Sequence, residues 1–539
     1  MAVVKPASKG AVMQKLVATS LASLMFAGTL INPVATEAQT GTSTPIKHFV
    51  VIFQENISFD HYFGTYPKAL NPRGEPRFIA KAGTPAVNGY TDGLLYNNPN
   101  ALNTLNGNGA ANPFRLDRSQ AATADQDHDY TPEQQAFHGG LMDLFPKYTG
   151  TPGPPPNGQM TNGLVMGYCD GNTVTALWNY AQRFAMSDNS YDTNFGPSTP
   201  GAINLISGQT NGVIDQVNAS ADIVADGGSG YTLVSDADPV GDVCSTTTGA
   251  LVAFSGSNVG DLLNAAGVSW GFFEGGFDLS VKNANGTTGC ARSTTSTVTQ
   301  TAKADYIPHH QPFQYYTSTA NPKHIRPTSA STVGINGDPA NHQYDTHDFF
   351  DAVTAGNFPA VSFLKAPGYQ DGHAGYSDPL DEQTFVVNVI NFLQQQKDWA
   401  NTAVIIAYDD SDGWYDHQMG PIVNQSATAM DALTAPGQCG TGEGALSGPT
   451  TPKAQGRCGY GPRLPLLVIS PFAKQNYVDH TVTDQSSILR FIEDNWLEGQ
   501  RITGSFDTLA GRLNTMFDFR NPDNSPYILD ESTGLVVRK

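Results

Sequence analysis

Positive charge is scarce in this 539-residue chain, where 29 Lys and Arg stand against 49 Asp and Glu for a net charge of −20 at pH 7. No Lys/Arg run and no stripe of basic and aromatic residues occurs. This excludes long-range attraction to DNA, RNA or an anionic membrane, so nucleic acid is not an expected partner. An anionic ligand must be held locally, by a metal ion, histidines or helix termini. Cysteine is scarce too: Cys169, Cys244, Cys290, Cys439 and Cys458 form no CxxC pair, which argues against a thiolate zinc site or a thioredoxin-like centre. Proximity along the chain pairs Cys439 with Cys458 and Cys244 with Cys290, leaving Cys169 free. No GxSxG elbow is present, which disfavours an α/β-hydrolase triad, and no internal repeat is evident.

What is present is a core-forming composition. Apolar residues make up 39% of the chain and charged ones only 14%, with 55 Gly and 35 Pro, which suits an α/β protein with many long loops. Lys5, Lys9 and Lys15 precede an apolar stretch at 16–31, and small residues at Ala35 and Ala38 follow. That pattern predicts a signal peptide over 1–38, a secreted or periplasmic protein, and no integral membrane anchor after cleavage. Unbroken apolar runs at 49–53 (FVVIF), 269–273 (SWGFF), 360–364 (AVSFL), 403–408 (AVIIAY) and 466–470 (LLVIS) read as buried strands. Helical spacing appears between them, at 380–399 and 486–496. The alternation predicts an α/β fold, a central mostly parallel sheet flanked by helices, in a single catalytic domain over 39–539. The Gly/Asn/Pro/Thr-rich stretches at about 84–165, 207–250 and 423–462 are expected as long loop insertions too polar for cores of their own, as is a shorter one at 280–300.

In open α/β sheets ligands bind beyond the carboxyl ends of the strands. The run at 49–53 leads into Gln54, Glu55 and Asn56, and the run at 403–408 leads into Asp409 and Asp410. Three carboxylates and an amide could therefore face one crevice, an oxygen set suited to a hard divalent cation. Each could also simply cap a turn, but adjacent carboxylates repel unless a cation or proton relieves them. The DDSDG run fails as an EF-hand loop, because Tyr408 and Met419 would fall where carboxylates are needed. In NFGPSTPG at 194–201, Ser198 stands on a Pro-framed turn ahead of 202–206, which could open a helix. A turn serine is commonly an N-cap, and Thr199 is the alternative exposed hydroxyl, yet a metal-coordinated serine is also an activated nucleophile. His128, His309, His310, His373 and His417 lie in polar loop contexts. As lone residues they read as surface histidines, and as a group as phosphate donors or general acids.

Three segments carry a resemblance: IKHFVVIFQENISFDHYFGTYP at 46–67, AVIIAYDDSDGWYDH at 403–417 and GPRLPLLVISPFAKQNYVDHTVTDQSSILRFIEDNW at 461–496. With NFGPSTPG they look like the bacterial phosphoesterase family, which holds phosphatidylcholine-type phospholipases C and secreted acid phosphatases. The resemblance implies an alkaline phosphatase-like fold. It also implies one divalent metal ion (calcium, magnesium, manganese or iron) held by Glu55, Asn56, Ser198, Asp409 and Asp410. Ser198 would be the nucleophile, and His128, His309, His310 and His373 would surround the phosphate. Phospholipase members usually carry threonine where Ser198 stands and an Asn-Arg pair where this chain has Gly201 and Ala202. They also tend toward Asp-Glu where DDSDGW stands. Both departures lean toward the acid phosphatase branch, with small phosphate esters as substrates and phospholipid head groups as the alternative. A secreted binder that has lost catalysis is the reading from another class.

Overall fold

The computed structural model describes residues 41–153 and 160–538, so the leader expected over 1–38 lies outside the described residues. Each apolar run forms a strand of one eight-stranded sheet. In chain order these strands are β1 (His48–Gln54), β2 (Ala185–Ser187), β3 (Trp270–Glu274), β4 (Gln343–Tyr344), β5 (Val361–Lys365), β6 (Thr402–Tyr408), β7 (Leu466–Ile469) and β8 (Tyr477–Asp479). They lie side by side in the order β4, β3, β5, β1, β6, β7, β2, β8. All neighbouring pairs are parallel except those of β7, which runs against both β6 and β2. The β3, β5 and β6 strands and all but the first residue of β1 are buried, which is why these segments read as continuous apolar runs rather than alternating ones.

Helices cover the sheet. Three bear on the site: α1 (Ser198–Ser207), α2 (Pro379–Gln394) and α3 (Ser486–Trp496). The α3 bounds match the expected ones. The segment expected as helical to residue 399 ends its α-helix at Gln394, and Lys397–Asn401 forms a separate tight turn that feeds β6. Helix α1 begins earlier than expected, at Ser198 itself, with Pro197 as the capping residue. Pro200 is tolerated there because N–H groups in the first turn lack an intrahelical partner.

The stretch at 207–250 differs more from its reading as loop. Asn211–Val217, Ile223–Ala225, Tyr231–Leu233 and Asp238–Pro239 join Leu251–Phe254 in a second, five-stranded sheet. These strands are short, and the last four residues of Asn211–Val217 are exposed, so they carry no apolar run to betray them. The stretches at 84–165 and 423–462 also share a small apolar cluster, in which Phe137, Phe145 and Val165 pack with Leu433. The Cys439–Cys458 disulfide lies in that cluster, Cys244–Cys290 forms the second disulfide, and Cys169 is a buried free thiol, as chain proximity predicts. No helix among the described residues is long and apolar enough to cross a membrane.

One contact decides how α1 meets the sheet. A Cβ on Gly201 would stand 2.0 Å from the Asp409 carbonyl oxygen at the end of β6. Replacing a helical glycine by alanine ordinarily gains up to about 1 kcal/mol. Here the obstacle is backbone, and overpacking costs about 1–3 kcal/mol. Gly201→Ala is therefore expected to destabilise the protein in urea unfolding and to lower activity. An unchanged unfolding midpoint would contradict the tight approach.

Candidate active site

The parallel register pairs Gln54 of β1 with Tyr408 of β6, so the next residues, Glu55 and Asp409, leave the sheet level with one another. On the other side of β1, Ile52 pairs with Leu364 of β5, which brings Lys365 to the same rim. All three side chains are buried, as are Asn56, Asp410 and Ser198. The Lys365 ammonium contacts Glu55 Oε1 and lies 3.1 Å from Asp409 Oδ2. Asp409 Oδ1 accepts the backbone N–H groups of Asn56 at 3.1 Å and Asp410 at 2.9 Å. Asn56 itself adopts a left-handed backbone (φ 55°), which Asn tolerates better than most residues.

Helix α1 delivers Ser198 into this rim. Its Oγ lies 3.1 Å from Glu55 Oε2 and 3.1 Å from Asp410 Oδ2. A hydroxyl carries one proton and can donate to only one of them at a time. The second close oxygen pair therefore needs a cation or another proton. Nearby, Asn56 Oδ1 is buried without a hydrogen-bond partner, and so are both carboxylate oxygens of Asp192. Burial raises Glu55 against the pull of the Lys365 ammonium. Burial together with the Glu55 charge raises Asp409 well above the carboxylate range. Burial also pushes Asp410 up to about 8, even with the His128 imidazolium beside it. Carboxylates crowded in this way mark a site short of positive charge, and oxygen donors of this kind fit a hard divalent cation.

The histidines line the same crevice. His310 Nδ1 lies 3.3 Å from Glu55 Oε1, and Asn56 Nδ2 lies 3.3 Å from His128 Nε2. The His128 ring sits 5.9 Å from that of His373, and the His309 ring 4.6 Å from that of His310. Their charge states diverge. Although burial opposes it, the Asp410, Asp412 and Asp125 charges hold His128 well above the ordinary imidazole value. Asp236 and Asp238 likewise raise His309 against burial, and this side chain remains 26% exposed. Burial and the Lys365 charge push His310 well down, and burial lowers His373 to about 3. His417 stands apart, against Asp60 and the Arg463 guanidinium, in a buried ion cluster that also holds Asp416.

Several residues here escaped the sequence reading. Lys365 follows the run at 360–364 directly, so the strand-end logic that found Glu55 and Asp409 also applies to it. Asp236, from the second sheet's connections, accepts both the N–H and the hydroxyl of Thr199, at 2.9 and 2.8 Å. It thereby satisfies the free end of α1, and it withdraws Thr199 from competition with Ser198 as the exposed hydroxyl. Glu133 accepts from Ser411 at 2.6 Å and from the Gly196 N–H at 3.3 Å, bracing both loops that carry the site. Neither acid has a signal in sequence. The mouth is a pocket of about 290 Å³ lined by His128, Pro197 and Asp236, with Asp125, Asp127 and Asp129 around it.

The fold and this rim define an α/β protein with a hydroxyl set among buried carboxylates at the carboxyl edge of a mostly parallel sheet. The chain belongs to the Phosphoesterase family, whose match covers residues 46–497. It is similar to a non-hemolytic phospholipase C of Burkholderia pseudomallei (strain K96243), 24% identical over 528 residues that make up 94% of this chain and 64% of the relative. It thus spans a little under two thirds of that relative's length. Phospholipase C A of Mycobacterium tuberculosis (strain H37Rv) is 23% identical over 496 residues, which are 90% of this chain and 79% of the relative. A solved structure of a protein in the alkaline phosphatase superfamily from Vibrio parahaemolyticus superposes with a TM-score of 0.29 at 11% identity, covering 70% of this chain and 78% of that one. So loose an overlay carries no weight.

The Asp60–His417 pair predicts a pH signature of stability. Asp60 titrates below its ordinary value, with the His417 and Arg463 charges outweighing burial, and His417 titrates above its own. The His417 contribution is complete below its unfolded value of about 6.5 and is lost as pH rises through the higher folded value. The Asp60 contribution is present above its unfolded value of about 3.9 and is lost as pH falls through the lower folded one. Unfolding free energies of wild type and His417→Gln should differ most near about pH 5–6 and converge at alkaline pH. A difference that grows above neutrality would contradict the pairing.

Proposed function

We propose that this chain is a secreted, metal-assisted phosphoester hydrolase that acts on small phosphate monoesters through a phosphoserine at Ser198. The observation that carries the reading is the Ser198 hydroxyl at 3.1 Å from both Glu55 and Asp410. Glu55, Asn56, Ser198, Asp409 and Asp410 would hold one divalent cation. When bound, such an ion lowers the pKa of a coordinated hydroxyl and offsets charge on the phosphoryl oxygens.

The rest falls to the chain's own groups. Either carboxylate facing Ser198 is within reach of its proton as Oγ forms the bond to phosphorus. His128, held charged by Asp410, Asp412 and Asp125, faces the equatorial oxygens as an electrostatic donor. His310 and His373, held neutral, orient the ester as hydrogen-bond partners. His309 is the general acid: it is charged, partly open to solvent and tied through Asp236 to the residue after Ser198. The P–O bond to the alcohol breaks, and the alcohol leaves with the His309 proton. Water then attacks phosphorus and frees Ser198. Two disulfides support an oxidising, exported setting.

The small mouth favours a small, soluble ester. The second reading, a phospholipase C, is favoured by the names of the relatives. Parallel assays on p-nitrophenyl phosphate and on phosphatidylcholine vesicles separate them. The first reading expects turnover of the monoester to dominate, and hydrolysis of the lipid alone would overturn it. Inertness on both with divalent ions supplied would favour a binding protein.

Ser198→Ala should lower kcat by roughly 10³-fold or more and abolish acid-quenched phosphoprotein. Retained wild-type turnover would assign the attack elsewhere. Because His128 and His309 act protonated and their values are raised, kcat/KM should fall as pH rises through those values. His309→Asn should remove the His309 part of that limb, leave the His128 part, and cost about 10²–10⁴-fold with alkyl phosphates. A kcat/KM that stays flat or rises through those values would contradict this role.

A further inference from the structure

The carboxylates of the rim do not present themselves alike to an ion. Glu55 commits Oε1 to the Lys365 ammonium and to His310, leaving Oε2 toward Ser198. Asp410 commits Oδ1 to the Asp412 N–H at 2.7 Å, leaving Oδ2 toward the same hydroxyl. Asp409 is held at both oxygens, Oδ2 by Lys365 and Oδ1 by two backbone N–H groups. None can rotate to offer two oxygens at once without breaking a buried contact. Lys365 alone restrains two of the three, because its Nζ stands between Glu55 and Asp409, and the aromatic face of Phe53 lies 5.4 Å away.

Hard divalent ions differ in what they accept. Calcium takes six to eight oxygens at about 2.3–2.6 Å and gains from two-oxygen carboxylates, whereas magnesium and ions of similar octahedral habit take six single oxygens at shorter distance. We infer that Lys365 is the positioning residue that sets the ion preference of this site: by occupying one oxygen each of Glu55 and Asp409, it makes them single-oxygen ligands and favours a small octahedral ion over calcium. The inference rests on reading the Glu55, Asp409 and Asp410 cluster as the cation site.

The decisive quantity is a ratio. Removing the ammonium changes the local charge equally for every divalent ion, so the Coulomb effect cancels between two such ions and the geometric one remains. Chelator-treated full-length protein is titrated with Mn²⁺, followed by its electron paramagnetic resonance signal, and bound Mn²⁺ is then displaced with Ca²⁺. Wild type should bind Mn²⁺ more tightly than Ca²⁺, and Lys365→Met should shift the ratio of dissociation constants toward Ca²⁺ by roughly tenfold. Lys365→Gln, neutral and too short to span both carboxylates, should shift it the same way and serves if the methionine variant fails to fold. A ratio within about twofold of wild type in a folded variant overturns the inference while leaving the cation site intact. Wild type that prefers Ca²⁺ overturns it with no variant needed. Wild type that binds neither ion overturns the cation site itself, and the inference with it.

Discussion

The site depends on the parallel pairing of β1 with β6. Because Gln54 lies opposite Tyr408, the strands release Glu55 and Asp409 at one level, where both side chains are buried. A lone ionised carboxylate costs several kcal/mol to bury, and two together cost more unless positive charge is supplied. The surroundings answer that constraint. Lys365 arrives from the next strand, backbone N–H groups turn toward Asp409, His128 is held charged, and an oxygen cage is left that suits a divalent ion.

The 198–201 segment answers a second constraint, the need to bring a helix end against a strand end. In residues 198–201 each residue type has its own reason. Ser198 occupies the first helical position with its hydroxyl at the carboxylates, and Thr199 is fastened to Asp236. Pro200 sits where a missing N–H costs little, and Gly201 lets the helix touch the Asp409 carbonyl. The fastening acid comes from the region of the second sheet, so that insertion takes part in shaping the site.

Much of this was legible in the order of residues. Strands buried on both faces leave unbroken apolar runs, and the polar residues that end such runs fall at one edge of the sheet; this singled out Glu55, Asn56, Asp409 and Asp410, which lie buried at one rim. Cysteine proximity gave the disulfides. Lys365 obeys the same strand-end rule, although a lysine at such a position carries no sign in sequence of pairing with buried acids. The second sheet was hidden because short, half-exposed strands of mixed polarity carry no periodic signal. Asp236 and Glu133 reach the site across the fold from loops and a short helix, and nothing local marks such residues. The start of α1 at Ser198 was obscured by two prolines and a glycine that resemble a turn.

The claim beneath all of this is that the buried acids converge because one divalent ion belongs among them. Elemental analysis of protein purified without chelator tests it most directly. The account predicts about one equivalent of a divalent metal per folded chain, lost in Asp410→Asn with the fold retained. Folded wild type that carries no divalent metal and takes none up on dialysis, or an Asp410→Asn variant that keeps a full equivalent, would contradict it.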